Sequence, residues 1–358
     1  MNSQTTQAQI DSEKRQTAGP DVHLHGTNPE AVIHAITSRY FRRQSADTDP
    51  DGRKLGLIFE GGAMRAAAPA GGAVALQHLG LSDIFDEIYA TSAGVMNASY
   101  FLASQTPMGI TIYFEDLTTG RFIKPLRFWK LVDVDYVIDE VATFRKPLDV
   151  RRVLDSPTRL FVVVMDKATG EASLVDTKAT TIPLLTVIKA ALAMPVLYNR
   201  TIELDGKHCM DGGLRIPFPL QQAIDNGCTD ILLLLSRSSE YVAQGPSWLE
   251  RCIFDLVCAR GRRGLRAAFA SHHLTSRAAR DIALGRAATS KSINIAAICT
   301  ERTDAIERTT VDPAALRAAA ISYGRRTLRA FGVEPGDWQL GPESSVRLSP
   351  PAASCLDP

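Results

Sequence analysis

Three short segments hold residue types that together could carry out acyl transfer. The first, Tyr89-Ala90-Thr91-Ser92-Ala93-Gly94, follows an apolar run and leads into the helix-like stretch Val95-Met96-Asn97-Ala98-Ser99-Tyr100-Phe101. A strand, sharp turn and helix lift a serine hydroxyl off the sheet's edge and aim the positive helix N-terminus at the reacting oxygen. Ser92 is therefore the candidate nucleophile, and Gly94 supplies a small neighbour for the tight turn. The second segment, Glu60-Gly61-Gly62-Ala63-Met64-Arg65, is a glycine-rich loop between a strand and a helix. Consecutive backbone N–H groups in such a loop can converge on one anionic oxygen, so Gly61, Gly62 and Ala63 are read as an oxyanion hole. Neither G-x-x-x-x-G-K-[ST] nor G-x-G-x-x-G is present, which argues against nucleotide binding. Arg65 is left to support the loop, to meet a lipid phosphate or to be a surface charge. The third segment, Asp211-Gly212-Gly213, lies about 120 residues beyond Ser92. A serine needs a base as it attacks, and an aspartate serves if its surroundings raise a pKa near 3.9 or if it accepts the proton in the transition state. Gly212 and Gly213 allow the backbone to turn closely beneath such a site.

These segments must be positioned by the elements around them. From Lys54 onward, short apolar runs alternate with helical stretches, the pattern of a mostly parallel sheet covered on both faces. Strands are expected at 55–59, 84–89, 160–165 and 231–235, and helices at 70–79, 94–103 and 182–193. Asp205-Gly206 reads as a hairpin turn that returns Lys207–Met210 as a strand ending at Asp211, and 167–170 as a similar turn. Asn28-Pro29 opens a helix through Phe41. Beyond Ser236 come an Arg-rich helical stretch, a strand at 293–299 and a helix from Asp312-Pro313 to near Gly332.

The three motifs, in this order and spacing, resemble the patatin-like phospholipases, and within them a bacterial subgroup. Further likeness lies in Asn97-Ala98-Ser99-Tyr100, Ala191-Leu192-Ala193-Met194-Pro195 and Ile216-Pro217-Phe218-Pro219-Leu220. The resemblance implies an α/β fold of three α/β/α layers with a mostly parallel central sheet and additional C-terminal helices. It also implies a lipid acyl hydrolase, acting on the acyl esters of phospholipids or similar lipids through an acyl-enzyme, with neither metal nor organic cofactor. Ser92 carries over as nucleophile, Asp211 as base without a histidine, and Gly61, Gly62 and Ala63 as the oxyanion loop, with Arg65, Gly94, Gly212 and Gly213 in support. The chain departs from the family's glycines at Ala63, Ala66 and Ala90. A methyl group at positive φ costs on the order of 1 kcal/mol and tilts a donor, so Ala63 raises the alternative of a weak or silent lipid-binding relative. An acyltransferase or thioesterase on the same dyad is the other alternative. A Ser-Asp-His triad would need Asp166 or Asp211 with His272 or His273, but those histidines sit inside a helical stretch.

The domain organisation expected is a disordered tail at 1–27, a helix and linker at 28–52, a catalytic domain at 53–335 containing the Arg-rich region 250–290, and a loose tail at 336–358. The formal charge of +1 gives no global field toward nucleic acid. Region 251–286 is locally basic, with interleaved Leu256, Val257, Leu265, Phe269 and Leu274, which fits either peripheral contact with an anionic membrane or a solvated helix face. Phe122, Leu126, Phe128, Trp129 and Leu131 form an aromatic segment that suits an acyl pocket, a lid or plain core. His23 and His25 lack further metal ligands. The six cysteines show no C-x-x-C pair, so reduced thiols are expected. Met1 to Gln16 has no apolar signal core, and the longest aliphatic run, Ile231 to Leu235, is far below the roughly 20 residues of a membrane span. The expected location is the cytoplasm, peripherally at the inner membrane face.

Overall fold

Strands buried at every position belong inside a sheet that is covered on both faces. In a computed structural model of the chain, which describes residues 24–45, 52–123, 131–198, 200–289, 291–304, 306–342 and 346–350, β1 (Leu55–Phe59) and β2 (Glu87–Thr91) are of this kind. The other strands are β3 (Arg159–Asp166), β4 (Ala172–Asp176), β5 (Ile202–Leu204), β6 (Lys207–Asp211), β7 (Asp230–Ser238) and β8 (Asn294–Thr300). β3, β2, β1, β7 and β8 lie side by side and all parallel, while β4 and the β5–β6 hairpin add antiparallel strands at the β3 end.

Alternate strand residues point to opposite covers. Leu55, Leu57, Phe59, Leu232 and Leu234 join the core beneath α1 (Pro29–Gln44), α2 (Ala67–His78), α3 (Gly94–Leu102) and the long C-terminal α10 (Pro313–Ala330). Ile58, Ile231, Leu233 and Leu235 join a second core with Leu220, Ala223 and Ile224 of α7 (Leu220–Asp225). Three layers, α/β/α, result. α2 and α10 pack closely because Gly71 lacks a side chain: a methyl group there would lie 1.9 Å from the Ala320 carbonyl oxygen. The remaining helices are α4 (Thr106–Thr111), α5 (Val150–Asp155), α6 (Leu184–Leu192), α8 (Trp248–Phe254) and α9 (Arg263–Ala283).

The register of β3 determines where the candidate site forms. Residues 161–163 of β3 pair with both β2 and β4, and residues 164–165 pair with both β4 and β6. A strand has two edges, so β2 and β6 must share one of them, end to end. The parallel β2 finishes with Thr91 opposite Val163, and the antiparallel β6 finishes with Asp211 opposite Val164. Their C-terminal ends therefore meet head-on.

Several expected boundaries shift. The strand expected at 84–89 is Glu87–Thr91, because Ile84 and Phe85, though buried, lie in the loop that precedes the ladder. Asn28 adopts φ 54° and makes no side-chain cap; its amide instead reaches Asn294 at 3.2 Å. Part of the segment assigned to the N-terminal tail is ordered: His25 exchanges backbone bonds with Ala297, extending the β8 edge. The C-terminal tail likewise begins too early. Trp338 is buried against Gly324 of α10, and its indole donates to His78 Nδ1 at 2.9 Å. His23, Leu126, Phe128, Trp129 and Cys355 lie outside the described residues.

Candidate active site

The loop after β1, the turn after β2 and the end of β6 converge at the carboxyl ends of the strands. β1 lies where the connections diverge, toward β2 on one side and β7 on the other, and ligands bind α/β sheets at such a switch point. Ser92 sits there at φ 54°, the strained conformation expected of a serine held on a tight strand-to-helix turn. α3 starts two residues later, so its N-terminal amides point toward the serine. Gly94 is required by contact: a methyl group there would lie 2.5 Å from the Phe59 carbonyl oxygen.

The glycine-rich loop after β1 is held against the serine turn. A methyl group at Gly61 would lie 2.6 Å from Ser92 Cβ and 2.7 Å from the Thr91 carbonyl oxygen. Glu60 N–H donates to Leu234 and Met64 N–H to Arg308. Between them, among the described residues, no protein acceptor faces the amides of Gly61, Gly62 and Ala63, nor that of Ala93 after the serine. Of the three alanines standing where glycine was expected, only Ala63 has positive φ, at 52°. Ala66 is helical at φ −67°, and Ala90 is an ordinary strand residue paired with Phe59. The strain is thus confined to the one alanine in the donor loop.

Asp211 is buried beside Ser92. Its backbone N–H donates to Ala193 at 3.1 Å, which ties it to the end of α6. Its Oδ1 accepts the Gly213 N–H at 2.8 Å. Burial pushes its carboxyl up to about 6, opposed by the nearby Ser92 hydroxyl, the Gly213 amide and the charge of Arg308. A carboxylate in that range exists as base at neutral pH yet holds a proton well enough to take one from serine. Gly212 has to be glycine here, since a methyl group would lie 2.5 Å from Val163 Cγ1 where β6 crosses β3.

The other sequence candidates fall in different places. Arg65 is buried rather than a surface charge, and burial together with Arg237 and Arg308 lowers its guanidinium to about 10. His272 lines the cleft, but neither Ser92 nor Asp211 bonds to it among the described residues; His273 packs at Gly245. Asp166 accepts from Ala168 and Thr169 in its own hairpin. The Arg-rich stretch is largely occupied: Arg280 is buried against Glu60 at 3.5 Å, Arg266 pairs with Asp255, and Arg277 and Arg286 donate to backbone carbonyls. Leu265 faces the core and Phe269 packs against it, so this part of α9's apolar side points inward, while Leu274 further along is exposed.

A network that the sequence reading did not identify supports the loop. Ser236, at the end of β7, donates its N–H to Glu60 Oε2 at 2.6 Å and its hydroxyl to the Gly61 carbonyl at 2.6 Å. Its position directly after the buried run Ile231–Leu235 was the available signal.

Two cavities meet at Ser92. A cleft of about 440 Å³ holds Ser92, Asp211, Arg65, Arg237, Arg308 and Met194. Inward from the serine, a narrow cavity of about 60 Å³ runs between α2, α3 and α4, lined by Met64, Met96, Tyr100, Tyr113, Phe122 and Met194. The tyrosine hydroxyls are turned to Lys146 O and Asn97 Oδ1, leaving the walls apolar.

Residues 57–224 match the family model described as patatin-like phospholipase, a span that includes all three motifs. The uncharacterized protein YjjU of Escherichia coli strain K12 is 26% identical over 205 residues, covering 55% of this chain and 56% of that protein. The match thus spans just over half the length of this relative. The crystal structure of VipD from Legionella pneumophila aligns with a TM-score of 0.42 and 13% identity, over 78% of this chain and 67% of that one.

Proposed function

We propose that the protein, whose residues 57–224 match the patatin-like phospholipase family model, is a serine lipid acyl hydrolase working through Ser92 and Asp211. The observation that carries this reading is the convergence of β2 and β6 on one edge of β3, which sets a strained serine beside a buried aspartate.

Ser92 Oγ attacks the ester carbonyl carbon and its proton passes to Asp211. The negative oxygen is received by the amides of Gly61, Gly62 and Ala63, with that of Ala93 available from the other side. The C–O bond to the alcohol then breaks, and Asp211 returns the proton to the departing oxygen. Water attacks the acyl-enzyme as Asp211 takes its proton; the bond from the acyl carbon to Ser92 Oγ then breaks, Asp211 passes the proton to Oγ, and the carboxylic acid leaves. The first carbons of the acyl chain enter the narrow apolar cavity. The alcohol part lies in the wider cleft, where Arg65, Arg237 and Arg308 favour an anionic head group. An acyltransferase would use the same acyl-enzyme with an alcohol or thiol in place of water.

A mixed-lipid hydrolysis screen comparing wild type with Ser92→Ala tests this. Release of fatty acid by wild type alone, faster from anionic than from zwitterionic phospholipids, is expected. Equal release by both proteins, or none by either, would end the proposal.

A further inference from the structure

Ten large apolar side chains are exposed among the described residues, and seven of them fall between positions 242 and 274. Most of these belong to α8 and the wide turn that continues it through Ala259. Trp248, Leu249, Ile253 and Leu256 follow i, i+1, i+5, i+8 spacing, which gathers them on one side of a helix. Trp248 is 78% exposed, Leu256 73% and Leu249 60%. This is an amphipathic helix with its apolar side turned to solvent.

The opposite side anchors the helix. Phe254 is buried and stacks on Phe269 at 4.0 Å, and Cys258 Sγ accepts the Val196 N–H at 3.1 Å. A capping box sets the start: Ser247 Oγ accepts the Glu250 N–H, and Glu250 Oε2 accepts the Ser247 N–H at 2.7 Å. The apolar face is therefore fixed on the body of the protein.

Two features identify what covers this face. First, it is continuous with the cleft: Glu250, Ile253 and Phe254 line the same space as Ser92 and Asp211. Second, Arg251 within α8 and Arg260 and Arg263 just after it are exposed, while the acids of the same stretch are engaged, Glu250 in the Ser247 cap and Asp255 with Arg266. An apolar strip bordered by cations fits an anionic lipid surface, with aliphatic groups among the acyl chains, Trp248 at the boundary and guanidiniums among the head groups. We infer that α8 is the element that docks the protein on an anionic lipid bilayer, placing the mouth of the cleft against the layer from which the substrate is drawn. The inference rests on the lipid acyl hydrolase reading above for its purpose, though not for its geometry.

The full chain is tested with vesicles of phosphatidylcholine, alone and mixed with phosphatidylglycerol. A triple variant, Trp248→Ser, Leu249→Ser and Leu256→Ser, changes only exposed positions, and circular dichroism and Tm check its fold. Sedimentation with vesicles and two rates are read, on vesicle phospholipid and on a monomeric ester, p-nitrophenyl butyrate. The expected result is tighter wild-type binding to the anionic vesicles and a drop of about 100-fold or more in binding by the variant. Its vesicle hydrolysis falls in step, and its hydrolysis of the monomeric ester stays within about twofold. A variant that binds and hydrolyses vesicles like wild type overturns the inference. So does a wild type that ignores vesicles but forms a dimer the variant abolishes. A wild type that binds vesicles through these residues yet hydrolyses neither ester supports the docking surface and removes the hydrolase reading instead.

Discussion

At the residue scale, the site depends on two local costs. Burial raises Asp211 from 3.8 to about 6. Between those values the folded protein holds a proton that the unfolded chain has released, so stability falls as pH rises through this window and stays lower above it. The full difference is roughly 3 kcal/mol. Asp211→Asn keeps the shape and can still accept the Gly213 N–H. It should be more stable than wild type at pH 8 by an amount approaching that figure, and close to wild type at pH 4. Urea midpoints at the two pH values check this, and an equal offset at both would contradict it. The second cost is Ala63 at φ 52°. Ala63→Gly removes about 1 kcal/mol of strain, partly offset by glycine's greater freedom when unfolded. Thermal unfolding should show unchanged or slightly raised stability, with kcat not below wild type; a loss above about 1 kcal/mol would show that the methyl group is a packing contact. These residues were legible in the sequence because tight turns admit few residue types, and Ser92, Gly94, Gly61 and Gly212 each meet a backbone or side-chain limit visible as a motif.

Elements bring distant parts of the chain together, and here the sequence told less. The apolar runs at β1, β3, β7 and β8 were readable because strands buried on both faces are nearly all apolar. The start of β2 was not, since Ile84 and Phe85 are equally apolar but sit outside the ladder. Nor could a linear pattern show that β2 and β6 share an edge of β3, which is what unites the serine and aspartate. The Ser236–Glu60 bond joins residues 176 positions apart, and no periodicity reports such a pairing. Ser236→Ala removes the hydroxyl bond to the Gly61 carbonyl and frees the donor loop to tilt. The expected result is a fall of about tenfold in kcat with KM little changed and about 1 kcal/mol lost in stability. Steady-state kinetics with urea unfolding decide it; a change in KM alone would indicate that Ser236 serves binding instead.

On the scale of the whole molecule, the near-neutral charge conceals an uneven surface. Arginines that looked like one basic stretch divide between internal ion pairs and the flanks of α8, because a helix has an inner and an outer side that net charge does not distinguish. No helix among the described residues is long and apolar enough to cross a membrane. The segment read as a loose C-terminal tail starts too early for a related reason: its proline and serine content is that of a tail, but Trp338 closes the α2–α10 seam. Trp338→Ala should cost about 3 kcal/mol, seen as a lower urea midpoint with the dyad still reactive toward a covalent probe. The proposed chemistry depends on Ser92 being activated by Asp211, and labelling with a fluorophosphonate followed by intact mass and peptide mapping tests that most directly. Wild type should gain one adduct on Ser92, at a rate that rises with pH through about 6 and then levels. Ser92→Ala should gain none, and Asp211→Asn should react slower by a factor of about 1,000 with no such pH step. An unlabelled Ser92 in the folded wild type, or a rate indifferent to Asp211, would contradict it.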